Sequence, residues 1–125
     1  MTITEINDAY VGATSYPQIV RNLISIGVQS YTVDTATNVT IFRLAGGVTL
    51  VRFSNEEFRV PAKDFNSNEV KDAIVQNQKG ESDYHGFMDH IARAGVKLYE
   101  ATLTGDDKRV EYFGISESHI EPITF

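Results

Sequence analysis

Apolar positions along the chain change period twice, and do so in the same order in each half. Residues 67–79 place Val70, Ala73 and Ile74 at i, i+3 and i+4, the spacing of a helix with one apolar stripe; residues 3–11 have similar helical composition. Each segment runs up to a glycine, Gly12 or Gly80, the residue best suited to a left-handed helix stop. A second helix is predicted after each. Ile19, Val20, Leu23 and Ile24 in one copy, and Phe87, Met88, Ile91 and Ala92 in the other, fall at i, i+1, i+4 and i+5. Ser15, Tyr16, Pro17 and Gln18 form a capping-box pattern with Pro in the first turn, and Asp83 is the matching cap before the other helix. Gly27 and Gly95 end these helices, after which the period becomes two: Tyr31 and Val33, then Tyr99, Ala101 and Leu103, line one face of a strand. Polar turns at 35–38 and 104–107 lead to second strands (39–44 and 110–113) and third strands (48–53 and 119–123), with Gly46 and Gly47 marking a tight hairpin. Such short connections favour antiparallel pairing.

The halves are therefore read as a duplication. Gly12-Ala13-Thr14-Ser15-Tyr16 aligns with Gly80-Glu81-Ser82-Asp83-Tyr84 at an offset of 68 residues, and the same offset carries Ile6 to Ile74, Gly27 to Gly95, Val28 to Val96 and Tyr31 to Tyr99. Val39, Ile41 and Phe42 match Val110, Tyr112 and Phe113 at an offset of 71, which puts a three-residue insertion in the intervening turn. Units of this size are marginal alone, so the expectation is one α+β domain over 1–125. In it, two pseudo-symmetric helix–helix–β-meander repeats (about 2–53 and 67–125) share one core and a mainly antiparallel sheet. Between them, Phe58, Arg59 and Val60 before Pro61 read as a further edge strand, followed by a loop at Pro61 and Asp64.

Composition narrows the chemistry. With no cysteine among the 125 residues, disulfides, thiolate catalysis and cysteine-held metals are excluded. The net charge of −6 comes with basic residues scattered singly, which argues against a nucleic-acid partner, since phosphate binding draws on clustered Lys and Arg. No stretch approaches the roughly 20 apolar residues of a membrane span, and the first residues lack a basic start and an apolar run. A cytoplasmic protein with no membrane partner is the expectation. No dinucleotide or P-loop glycine pattern occurs, so no cofactor is called for.

The run from Ala73 to Phe87, followed by Ile91-Ala92-Arg93-Ala94-Gly95-Val96 and Tyr99, resembles the characteristic stretch of the bacterial DUF1398 family, a domain of unknown function. Tyr16-Pro17, Gly27-Val28, Tyr31 and the closing Glu121-Pro122 extend the resemblance over nearly the whole chain. The label "phage envelope protein" accompanies many members, so the resemblance implies a phage origin; it brings no catalytic residues. Several members place Thr or another small residue where this chain has His85, so no role for His85 comes with it.

Three constellations remain. His85 and Asp89 are four apart on one helical face with His90 beside them, and His119 on a strand is the only further imidazole; two helical ligands without an identified third make a poor metal site, and no metal is expected. Glu81, Asp83 and His85 gather at the start of the fourth helix, where an acid–base site would make the protein a small enzyme; helix capping by Asp83 explains the same residues more simply. The repeated tyrosines, Tyr16 with Tyr84 and Tyr31 with Tyr99, are expected to pack with their hydroxyls tied off. The sharper reading makes them a polar-aromatic cleft at the junction of the repeats. Tyr16, Tyr84, Asp83 and the amide of Gln78 would there bind a small molecule or peptide. A non-enzymatic binding or protein-interaction module ranks ahead of the enzyme. A homodimer is one arrangement that would protect the open strand edges of the meanders.

Overall fold

The computed structural model describes residues 2–124. Among them, four helices and six strands run in the order α1 (Ile3–Asp8), α2 (Tyr16–Ser25), β1 (Val28–Asp34), β2 (Thr40–Leu44), β3 (Thr49–Arg52), α3 (Ser67–Gln78), α4 (Tyr84–Arg93), β4 (Leu98–Thr102), β5 (Arg109–Phe113) and β6 (Ser118–Pro122). This is an α+β fold. The strands form one antiparallel sheet in the order β3-β2-β1-β4-β5-β6, so the first strands of the two halves meet at its centre and the third strands are its edges. Thr32 pairs with Glu100, 68 residues further on, flanked by the pairs Tyr31–Ala101 and Val33–Tyr99.

The helices cover one face. Tyr31, Val33, Phe42, Tyr99, Ala101 and Tyr112 project from the strands into a core completed by Ile6, Val20 and Leu23 from the first helix pair and Val70, Met88 and Ile91 from the second. Intervening strand residues such as Thr32, Arg43 and Glu100 look away from that core, as the two-residue period demands. The core cluster thus draws on both halves and on helices and sheet alike.

Local signals account for the element ends. Ser15 Oγ accepts from the Gln18 amide at 3.3 Å, and Asp83 Oδ1 accepts from the Gly86 amide at 2.8 Å. Asn66 caps α3 by accepting from Glu69 N at 3.1 Å. Two expectations need correcting. α1 stops at Asp8, and turns carry the chain on to Gly12. The expected edge strand at Phe58, Arg59 and Val60 is not one: residues 53–66 form a connection without regular structure. Its alternation is present, with Arg59 half-buried between exposed Phe58 and Val60, but the segment's one backbone bond to the turn after β1, Arg59 N to Ala36 O at 2.8 Å, builds no ladder. Further on, the connection presses against the end of α4. Ala62 N and Asn66 N donate to the Ala92 and Ala94 carbonyls at 2.8 Å each, and a Cβ on Gly95 would stand 2.1 Å from the Asp64 carbonyl oxygen.

Candidate functional site

The turn between β1 and β2 is built by its own polar residues. Asp34 accepts from Thr37 N at 2.9 Å and from Thr37 Oγ1 at 2.7 Å, tightening the chain so that Asn38 takes φ 62°, the one positive φ at a non-glycine among the described residues. Asn tolerates this left-handed conformation better than other side-chain-bearing residues. The result is a buried amide, 7% exposed, whose Nδ2 finds no acceptor in the protein.

Its oxygen is held from the opposite side. The connection after β3 carries Arg59 inward until its side chain is 9% exposed, and Nη1 donates to Asn38 Oδ1 at 2.5 Å. Nε donates to Asp89 Oδ1 at 2.7 Å on α4, while Nη2 lies 3.3 Å from His85 Nδ1 and 3.5 Å from Glu56 Oε2. His85 Nε2 in turn faces Asp89 Oδ2 at 3.2 Å. The hydrogen bond from Arg59 holds the Asp89 carboxyl below its ordinary pKa; burial opposes it, and the charges of His85, Arg59 and Arg93 add to the lowering. One arginine thus pins the connection to α4 and the β1–β2 turn together.

Two hollows flank this clasp. The smaller, about 180 Å³, is walled by Asn38, Thr40, Arg52, Phe53, Ser54, Glu56 and Tyr84. The larger and more open one, about 420 Å³, lies between Glu56, Phe58, Arg59, His85 and Asp89. Glu56 belongs to both. At the end of β3, Arg52 lays its guanidinium over the Tyr10 ring, 4.5 Å from the centroid, and near the Phe42 ring at 5.3 Å; Nη1 reaches Asn7 Oδ1 at 3.4 Å. No carboxylate among the described residues stands within ion-pair distance of it.

The tyrosines form a layer beneath. Tyr16, the first residue of α2, shares a 2.5 Å hydrogen bond between hydroxyls with Tyr31 on β1; Tyr84, the first residue of α4, has its hydroxyl near that of Tyr99 on β4. Burial drives the pKa of all four hydroxyls upward, so each stays protonated. Although Tyr16 and Tyr84 show ring edges to solvent, at 36% and 50% exposure, their hydroxyl ends point inward.

Of the residues proposed from sequence, Tyr84 walls the smaller hollow, whereas Tyr16 lines neither. Asp83 is occupied as a helix cap, and Gln78 is exposed at the last residue of α3, outside both hollows. The histidines are apart in their contacts: His85 meets Asp89, His90 meets Glu69 at 2.9 Å, and His119 meets Glu121 at 3.2 Å. Among the described residues no group of three or more His, Asp or Glu side chains is arranged to hold a metal ion. Asn38, Arg52, Glu56 and Arg59 were not anticipated. A trace of the signal exists in the lone arginine between Phe58 and Val60, and in an asparagine closing an Asp–Thr turn.

Fold and site together describe a small α+β protein with a one-sided antiparallel sheet and a polar hollow where an irregular connection crosses its second helix pair. Over residues 5–121 the sequence matches the family described as "Protein of unknown function (DUF1398)", and the chain belongs to that family. No curated protein matches it. No helix among the described residues is long and apolar enough to cross a membrane.

Proposed function

We propose that this chain is a non-enzymatic binding module and that the smaller hollow is its ligand site. The observation that carries the reading is Asn38, a residue of the hollow's lining: a buried amide held in a left-handed turn, with its oxygen tied to Arg59 and its nitrogen without a partner. Leaving a buried donor unpaired costs about 1–3 kcal/mol, so a ligand acceptor that meets it recovers a penalty the free protein carries. Thr40 and Ser54 are further polar residues of the same lining. At about 180 Å³ the hollow is below the roughly 300 Å³ at which drug-sized sites begin, which fits a small polar molecule better than a peptide.

Acid–base chemistry by Glu81, Asp83 and His85 is the weaker reading, because Asp83 is committed to the Gly86 amide and His85 to Asp89 and Arg59. A screen of small polar molecules by two-dimensional amide NMR tests the proposal. Shifts gathered at Asn38, Ser54, Glu56 and Tyr84 are expected, and Asn38→Gly, which keeps the backbone conformation and deletes the amide, should abolish them. Hits that map elsewhere, or that survive Asn38→Gly unchanged, would sink it.

A further inference from the structure

The electrostatics of the hollow say what kind of polar molecule it suits. Arg52 is a guanidinium stacked on two aromatic rings, an arrangement that satisfies its faces and leaves its N–H edge to donate. Its polar contacts among the described residues are Asn7, through a long 3.4 Å bond, and the Tyr10 hydroxyl, neither of them anionic. Asn38, whose Nδ2 has no partner in the protein, lines the same hollow, with the polar residues Thr40 and Ser54 beside it. A planar carboxylate accepts two parallel hydrogen bonds from an arginine fork and has lone pairs left for an amide N–H. Glu56 sets the opposite limit. Its carboxylate is part of the wall, and its pairing with Arg59 and His85 is loose, at 3.5 Å each. A second negative charge on the ligand would meet it. Phe53 is the one wholly apolar side chain among the residues of that lining, the place for a short hydrocarbon body.

We infer that the hollow takes a small monocarboxylate, its carboxylate held by Arg52 and Asn38 and its apolar part laid against Phe53. The inference rests on the binding reading above and names its ligand class. A dianion such as phosphate is disfavoured by Glu56, and a neutral amide forfeits the charge-assisted bonds.

The test titrates the full-length labelled protein with acetate, isovalerate and benzoate, with the corresponding amides, and with inorganic phosphate, at fixed pH and ionic strength, following the Asn38 side-chain amide and the Ser54 and Tyr84 backbone amides. At least one carboxylate should bind about 10- to 100-fold more tightly than its amide, the range a charge-assisted pair commands. Arg52→Gln should bring carboxylate affinity down to that of the amide and leave the amide's affinity where it was; Arg52→Lys, keeping the charge without the fork, should fall between. The spectrum away from the hollow reports whether either variant keeps the fold. Equal binding of carboxylates and amides, or carboxylate affinity indifferent to both Arg52 variants, overturns the carboxylate assignment and leaves the binding reading standing. Phosphate binding more tightly than every carboxylate overturns the single-charge limit. Failure of every probe, charged and neutral, to move the Asn38 amide overturns the inference and the binding reading together.

Discussion

Replacing Arg59 by Ala separates two accounts of what holds the 53–66 connection in place. The Arg59 side chain is 9% exposed and makes hydrogen bonds to Asn38, Asp89 and His85. Removing it strips Asn38 Oδ1 of its partner when Nδ2 already has none, a buried acceptor left open at about 1–3 kcal/mol. Asp89 is 39% exposed and recovers water, so its share is that of a surface pair and small. Lost packing of the arginine stem adds about 0.5–1 kcal/mol. The expected cost is roughly 2–3 kcal/mol, or about 8–12 °C in Tm for a chain of this size. Urea denaturation at low and high salt, followed by circular dichroism, reads it out. Asp89→Asn keeps an acceptor for Arg59 and should cost clearly less, and its cost should shrink in 1 M salt while that of Arg59→Ala persists. Arg59→Ala costing under about 0.5 kcal/mol, or matched by Asp89→Asn at both salt concentrations, would refute the argument that the buried amide sets the energy.

Gly27 and Gly95 occupy matching places in the repeat, with φ 96° and 86°, yet their Ala variants should differ: Gly27→Ala meets open space and costs only the left-handed strain, about 1–2 kcal/mol, while Gly95→Ala also strikes the Asp64 carbonyl and should exceed about 3 kcal/mol. Equal losses in thermal denaturation would contradict this. Asp83→Ala removes the cap on the Gly86 amide and should lower stability by about 1 kcal/mol, with Asp83→Asn or Asp83→Ser recovering most of it. Because Arg59 holds the Asp89 pKa below its unfolded value, the contribution of that carboxylate is complete above about pH 4 and disappears as pH falls through the lower folded value. The stability of Asp89→Asn should therefore fall less steeply than wild type in that acid range; parallel curves would rule out the linkage.

Much of the architecture was legible because it is local. Helix caps at Ser15 and Asp83 reach only three residues along the chain, and Gly27 and Gly95 answer to their own φ. Apolar spacing at Val70, Ala73 and Ile74, or at Tyr99, Ala101 and Leu103, reports which side faces a core without saying what lies opposite. The site was not legible for the converse reason. Arg59 joins Asn38, 21 residues before it, to Asp89, 30 after it, through an arginine that no periodicity marks. The same limit explains residues 58–60: alternation records an extended backbone, whereas a strand also needs a partner along its length, and the fold offers that segment little more than the Ala36 carbonyl. What the sequence determined by itself was the order of helices and strands, their buried faces and their stops, all set by interactions within a few residues. Only the tertiary structure decided that β1 meets β4 at the centre of the sheet, that the connection is clasped against α4, and that Asn38 and Arg52 share a hollow, because those contacts join residues whose separation along the chain carries no local signal.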